Sequence, residues 1–260
     1  PPPPPPPPPP LSFFHPPPAN PDPLWSRGLG DVYKRQDLKV GGISFAIIED
    51  RKFKSSPTVM VPEGDCRNGW FQAPGFDAAE SADVAGAVLL GERQLAFLRA
   101  WGADWSGGTW MKVALSQTIF ANVATLPSSA KSDGVVPSLV IPEPGEYPPD
   151  DRLAADADSN GWPQSGRNAA LRELRRAFAL HVAGDQHLAS LVRYGVDDFD
   201  DAAWALCVPS VANTFPRRWF PPEPGAGREE GAPAYTGRFR DGFGNRIIQS
   251  QNHHSRASLA

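Results

Sequence analysis

The sequence has too few cysteines for a disulfide-rich protein or a CxxC metal protein. Its apolar runs are too short for a transmembrane protein. Cys66 and Cys207 are the two cysteines in 260 residues, so there is no disulfide framework and no CxxC metal motif. Cys207 lies in the apolar run WALCVPSV and is predicted to be a buried small hydrophobic residue. No apolar run approaches the ~20 residues of a transmembrane helix. With 25 basic against 29 acidic residues, the formal net charge is -4. The sequence therefore lacks the excess of basic residues that is typical of nucleic-acid-binding proteins.

Proline, in contrast, is abundant and concentrated at the start of the chain. Residues 1–10 are all proline, and residues 28–30 form a GxG that lacks the third glycine of a nucleotide-binding loop. A run of this kind is typical of a polyproline II spacer or of a ligand for an aromatic groove. Residues 26–36, SRGLGDVYKRQ, resemble an in-frame translation of a sequencing-library adapter. We therefore expect residues 1–36 to be a low-complexity, artefactual leader, which is left out of the fold prediction.

Residues 37–247 are predicted to form an α/β domain. Residues 43–48 are a continuous apolar run typical of a buried strand, and further strands are predicted at 111–115, in ALHVAG and in AAWALCVPSVA. Helical spacing of apolar residues predicts helices at 91–101, with Gly102 as the stop, and at 167–178. A long loop is expected at about 124–160, and residues 248–260 are expected to be a polar, disordered tail. This element order predicts a mixed sheet with helices on a face.

The most informative short segment is AGDQHLAS, in which an apolar strand ends at Gly184. Asp185 and His187 follow at the carboxyl end of this strand, where open α/β sheets place their ligand sites. A carboxylate and an imidazole are suitable ligands for a hard or borderline metal ion. The alternative interpretation is a turn in which Asp185 caps backbone amides and His187 packs, and the spacing alone does not decide between the two.

Two further segments offer polar side chains. In DADSNGWPQSG, Asp156, Asp158 and Asn160 have the spacing of a calcium loop, but the closing Glu is missing, so an EF-hand is rejected. What remains is a polar loop that presents a carboxylate near the site. Arg51 follows Asp50 at the end of the first buried strand, and it is expected either to hold a phosphate oxygen or to form a structural ion pair.

Several segments together resemble the C-terminal half of the PhoD-like alkaline phosphatase/phosphodiesterase family. From about residue 40 to 247 and in order, they are IIEDRKF, LGERQLAFLRAW, KVALSQTIF, DSNGWPQSGRNAALREL, VAGDQHLASLVRYG, WALCVPSVANTFPRRWFPPEPG and YTGRFRDGFGNRI. The resemblance implies a partial calcineurin-like metallophosphoesterase sandwich of mixed sheets and flanking helices, with a two-metal site at the sheet ends. The family's N-terminal half, with its first metal ligands, has no counterpart in this sequence.

The resemblance also implies roles for particular residues. Asp185 and His187 correspond to metal-site residues, and His187 is also expected to act at the leaving group. Asp158 and Asn160 lie in a loop at the mouth of the site and are weaker candidates for catalysis, as Arg51 is for substrate binding. Calcium and iron are the implied cofactors, a small phosphate ester is the implied substrate, and the family suggests a periplasmic or secreted location.

The expected function is therefore hydrolysis of phosphate mono- or diesters by a metal-activated water. Because half of the site has no counterpart here, this chain is expected to have little or no activity by itself. The alternative is a non-catalytic binding or surface protein, in which some of the eight tryptophans and the proline-rich loops form an aromatic face. Convergence of Asp158, Asp185 and His187 would favour the hydrolase.

Overall fold

The computed structural model describes residues 35–143, 146, 148, 150–209, 215–223 and 225–252, all in the unit Arg35–Ala260. The helices are α1 (Pro57–Met60), α2 (Ala78–Ser81), α3 (Glu92–Ala103) and α4 (Gln164–Arg176), and 3-10 turns occur at Pro62–Gly64 and Asp133–Ser138. The strands are β1 (Arg35–Val40), β2 (Ile43–Ile48), β3 (Cys66–Arg67), β4 (Trp70–Phe71), β5 (Met111–Thr118), β6 (Thr125–Pro127), β7 (Asp151–Leu153), β8 (Leu180–Gly184), β9 (Ser190–Tyr194), β10 (Trp204–Cys207), β11 (Gly237–Arg240) and β12 (Arg246–Asn252).

The architecture is an eight-stranded mixed sheet flanked by helices, which confirms the predicted α/β class. Its strand order is β1-β2-β5-β8-β10-β9-β12-β11. Neighbours among β2, β5, β8 and β10 are parallel, whereas the outer strands pair antiparallel. Two small two-stranded sheets, β3-β4 and β6-β7, lie in the connections. The parallel block is what positions the site, because it brings the carboxyl ends of β2, β5 and β8 to one edge.

Helices α3 and α4 cover one face of the large sheet. Leu98 and Trp101 of α3 and Leu171 and Leu174 of α4 are buried in one cluster with side chains of the sheet such as Ala46. Each such leucine contributes roughly 1.5–3 kcal/mol when it leaves water. The Trp101 indole also donates a hydrogen bond to Ser44 Oγ over 2.9 Å, which joins α3 to β2.

The predicted helices and strands exist, with small differences in their bounds. The strand at 43–48 is confirmed, and the helices span 92–103 and 164–176 instead of 91–101 and 167–178. Gly102 does not stop α3 but lies inside it. A Cβ at Gly102 would lie 3.2 Å from Ala177 Cβ, so this glycine allows α3 to approach the end of α4.

Three predicted boundaries differ from the structure. The sheet begins at Arg35, inside the segment 1–36 expected to be a leader, and residues 1–34 lie outside the described residues. Residues 248–252, expected to belong to a disordered tail, are part of β12, because main-chain pairing with β9 continues through Asn252. Residues 253–260 lie outside the described part. The loop expected at 124–160 contains β6 and β7, which pair with each other.

Candidate functional site

A cavity of about 350 Å³ lies at the carboxyl ends of the parallel strands. Four of the residues singled out from the sequence line it: Arg51 after β2, Asp158 before α4, and Asp185 and His187 after β8. Its other walls include Asn68, Trp70, Asp133, Asp156, Phe215 and Arg217. The structure therefore brings together residues that are up to 166 positions apart in the sequence, counted from Arg51 to Arg217.

The segment after β8 turns sharply and aims alternate side chains in opposite directions. Asp185 has φ 69° and His187 has φ 54°, both in the left-handed region that residues with a Cβ rarely adopt. Each such conformation costs about 1–3 kcal/mol, and such residues cluster at functional sites. The residue between them, Gln186, is buried and donates a hydrogen bond from Nε2 to Thr118 Oγ1 over 3.1 Å. This bond ties the turn to the end of β5.

Arg51 and Asp185 form an ion pair at the mouth of the cavity. Arg51 Nη2 lies 2.6 Å from Asp185 Oδ2, and the two side chains are 41% and 38% exposed. An ion pair as exposed as this one is worth about 1 kcal/mol or less. Arg51 is therefore held near the cavity but remains able to exchange Asp185 for another anion.

Arg217 forms a second ion pair, and this pair is buried. Arg217 Nη2 lies 2.5 Å from Asp156 Oδ2, with side chains 10% and 4% exposed, and Nη1 donates to Gln186 Oε1 over 2.5 Å. Its guanidinium also lies over the Trp70 ring, 5.2 Å from the centroid. Removing one partner of such a pair leaves an uncompensated buried charge. Arg217 thus fixes the cavity wall, and its charge is balanced by Asp156.

Lys54 holds the loop that carries Asp158. Its Nζ donates to the main-chain oxygens of Ala157 and Ser159 over 2.5 and 2.7 Å. Burial lowers the pKa of Lys54 to about 8, against the opposing effect of Asp156 and Asp158. Loss of hydration, and then the charge of Asp156, raise the pKa of Asp158.

Asn160, one of the expected catalytic residues, is not among the cavity-lining residues. It is fully buried, and its Nδ2 donates to Asp50 Oδ2 over 2.5 Å and to the Thr118 oxygen over 3.0 Å. The Asp50 carboxylate also accepts the Thr118 amide over 3.0 Å, and burial raises its pKa. Asn160 therefore joins the ends of β2 and β5 beneath the cavity.

His187 is predominantly neutral at neutral pH. Burial, and then the positive charge of Arg217, lower its pKa below the ordinary value of 6.5. Its Nδ1 is a buried atom without a hydrogen-bond partner. The rings of His187 and Phe215 pack at an interplanar angle of 71°, with centroids 5.9 Å apart. A hydrogen bond with the Phe215 main chain opposes the lowering of this pKa.

A complete metal centre does not fit the residues that the structure describes. Among them, no group of three or more His, Cys, Asp and Glu side chains is arranged to hold an ion. Asp185 and the unpartnered Nδ1 of His187 supply at most two donors, and the Asp185 carboxylate already binds Arg51. Four ligands are usual for structural zinc and six or more for calcium, so further donors would be needed.

A second histidine near the strand ends is part of the core instead of the cavity. Ser116 Oγ lies 2.7 Å from His181 Nε2, and His181 Nδ1 lies 2.9 Å from the Tyr194 hydroxyl. Ser116 donates to the Thr118 oxygen over 2.7 Å, so a tautomer with the proton on Nε2 of His181 satisfies every hydrogen bond from Ser116 to Tyr194. In that tautomer His181 donates to Ser116 and does not activate it as a nucleophile.

Sequence reasoning missed Lys54, Asp156 and Arg217 as parts of the site. In the sequence Asp156 belongs only to the rejected calcium pattern, and Arg217 lies in PRRWF, which has no distinctive spacing. Asp156 and Arg217 meet through a contact between loops 61 residues apart, and Lys54 contacts a loop more than 100 residues away, which no local pattern indicates.

Comparison with known proteins gives little further information. No protein-family model and no curated protein matches the chain. A solved structure described as "Structure of PhoD" matches with a TM-score of 0.41 and 15% identity, over 68% of this chain and 28% of that one. The chain thus spans less than a third of that structure, and a similarity this weak carries no argument about function.

Proposed function

We propose that the cavity binds the phosphoryl group of a small phosphate ester, and that the chain forms part of the active site of a phosphoric ester hydrolase. The observation that carries the proposal is the convergence of Arg51, Asp158, Asp185 and His187 on one cavity. A guanidinium beside a neutral imidazole is a suitable arrangement for binding an oxyanion and moving a proton.

Arg51 is the residue proposed to bind the phosphoryl oxygens. Its pair with Asp185 is exposed and weak, whereas the pair of Arg217 with Asp156 is buried. An incoming phosphoryl group therefore displaces Asp185 from Arg51, while Arg217, whose charge Asp156 balances, stays in place. The Arg51 guanidinium can then offset the charge that develops on the phosphoryl oxygens.

His187 is proposed to accept the proton of the attacking water. Its lowered pKa keeps the imidazole neutral, which suits a general base better than the leaving-group acid expected from the sequence. Asp158, held by Lys54 through the neighbouring main chain, also lines the cavity and is proposed to orient that water.

Calcium and iron, the cofactors that the family resemblance implies, require donors beyond those described here. They would act as Lewis acids, but no step is assigned to them, because Asp185 and His187 do not complete a metal site. We therefore propose that this chain alone turns over phosphate esters slowly or not at all.

Two measurements test this proposal. Calorimetric titration with inorganic phosphate is expected to show binding, and absence of binding would overturn the cavity assignment. Hydrolysis of an aryl phosphate with added Ca²⁺ and iron is expected to be negligible. Turnover that disappears in Asp185→Ala would show that the chain carries a complete site.

The alternative, a tryptophan-lined binding protein, has less support. Of the seven tryptophans among the described residues, Trp70, Trp101, Trp162 and Trp219 are buried. Only Trp70 lines the cavity, where Arg217 covers one face of its ring.

A further inference from the structure

The turn after β8 has a residue with positive φ on each side of Gln186. Asp185 has φ 69°, and the Gln186 amide donates to the Gly184 oxygen over 2.8 Å, which makes Asp185 the central residue of a γ-turn. His187 has φ 54°. A γ-turn with positive φ is rare and strained, and such conformations persist only where the surrounding structure holds them in place. This turn therefore requires contacts that hold it.

The side chains of the two strained residues hold the turn only weakly. Asp185 is 38% exposed, and so exposed an ion pair with Arg51 adds little stability. The His187 ring packs against Phe215 with centroids 5.9 Å apart, but Phe215 is itself 40% exposed. Both contacts involve partly exposed groups, so a buried contact is needed in addition.

Gln186 supplies this buried contact, because it is 1% exposed and its side-chain amide forms two hydrogen bonds. Arg217 Nη1 donates to Oε1 over 2.5 Å, and Nε2 donates to Thr118 Oγ1 over 3.1 Å. A guanidinium has donors only, so it determines which end of the amide faces Arg217. Arg217 is held in turn by Asp156, and the Thr118 main-chain amide is held by Asp50. Gln186 thus connects the turn to fixed groups on two sides.

The hydrogen bond with Arg217 also affects the surroundings of His187. Arg217 belongs to the segment 215–218, and the first residue of this segment, Phe215, packs against the His187 ring. The Phe215 main chain also forms a hydrogen bond with His187. The amide of Gln186 therefore joins the turn that carries His187 to the segment that His187 contacts.

We infer that Gln186 is a positioning residue, which holds Asp185 and His187 at the wall of the cavity. Gln186 does not line the cavity, so it acts through these two neighbours. Any consequence for catalysis rests on the proposed function, whereas the placement of the two side chains can be measured without a ligand.

The nuclear Overhauser effect (NOE) between the ring protons of His187 and Phe215 tests this placement in the ligand-free protein. The wild type is expected to show it, because the rings are in contact. Gln186→Met keeps the length of the side chain but removes both hydrogen bonds, and it is expected to lose the NOE. Gln186→Glu is expected to keep the NOE, because a carboxylate can accept from both Arg217 and the Thr118 hydroxyl.

Gln164→Met is the matched control. Gln164 is also buried, and its Nε2 donates to the Ala78 and Phe243 oxygens, but it does not line the cavity or contact the turn. This variant loses comparable hydrogen bonds and is expected to keep the NOE. If Gln186→Met does not fold, Thr118→Val removes one of the two bonds and is expected to weaken the NOE.

Three results would overturn the inference. They are an NOE that Gln186→Met, or Thr118→Val in its place, retains unchanged, an NOE that Gln186→Glu or Gln164→Met loses, and absence of the NOE in the wild type. None of these results depends on phosphate. Failure of the wild type to bind inorganic phosphate would instead overturn the proposed function, so the two failures are distinguishable.

Discussion

Arg51 and Asp185 lie 134 positions apart in the sequence, and their side chains form an ion pair with an Nη2–Oδ2 distance of 2.6 Å. Arg51 follows β2 and Asp185 follows β8, and in the sheet only β5 separates these two strands. All three strands run parallel, so their carboxyl ends meet at one edge. This contact places a cation and a carboxylate where the cavity opens.

Replacing Asp185 is expected to strengthen phosphate binding. In Asp185→Asn, Arg51 no longer has a carboxylate that competes with the ligand, and one negative charge leaves the cavity. An exposed pair is worth about 1 kcal/mol or less, so affinity for inorganic phosphate should rise by up to about fivefold. Calorimetric titration measures this change. Asp104→Asn, which breaks the exposed pair with Lys39, is the control. Weaker binding in Asp185→Asn would contradict the competition.

The two arginines of the cavity are expected to differ in their effect on stability. Arg217→Met leaves Asp156 buried without its partner and should cost about 3–5 kcal/mol of unfolding free energy. Arg51→Met breaks an exposed pair and should cost about 1 kcal/mol or less. Urea denaturation of both variants checks the difference, and equal losses would show that burial does not distinguish the pairs.

Lys54 is expected to make stability rise with pH in the alkaline range. Its folded pKa of about 8 lies below the ordinary 10.5, so between these values the unfolded chain holds a proton that the folded chain has released. Stability therefore increases with pH in this window, by at most about 1.4 kcal/mol per pH unit. Unfolding free energies measured by urea denaturation at several pH values should rise less steeply with pH in Lys54→Met than in the wild type. The exposed Lys52→Met should keep the wild-type slope, and equal slopes in all three proteins would contradict the burial of Lys54.

His181 is expected to contribute to acid unfolding. Burial lowers its pKa to about 3 from the ordinary 6.5, so the unfolded chain takes up a proton before the folded chain does. The contribution is complete above pH 6.5 and is lost as the pH falls toward 3, at up to about 1.4 kcal/mol per pH unit. His181→Gln should unfold with a shallower pH dependence over this range. A dependence as steep as that of the wild type would show that other groups account for acid unfolding.

Local patterns predicted the α/β class, because it depends on short segments. The apolar run of β2 and the glycine that ends β8 indicate where side chains leave the sheet, and Arg51, Asp185 and His187, chosen on this ground, all line one cavity. The strands β9, β11 and β12 were not predicted. They contain polar residues, and main-chain hydrogen bonds, which leave no side-chain pattern in the sequence, hold them in the sheet.

The rest of the site depends on contacts between distant loops. Arg217 acquires its place only through Asp156 and Gln186, and Lys54 only through the oxygens of residues 157 and 159. The burial of Asn160 beneath the cavity likewise follows from its bond to Asp50 and has no local signal.

The most direct test of the phosphate-binding cavity is an NMR titration with inorganic phosphate that follows the imidazole resonances of His187, assigned through His187→Gln. The cavity assignment predicts saturable shifts in the wild type and in Arg99→Met, whose arginine pairs with Glu173 outside the cavity. It predicts that Arg51→Met loses these shifts. No shift in the wild type, or the same shifts in Arg51→Met, would contradict the assignment.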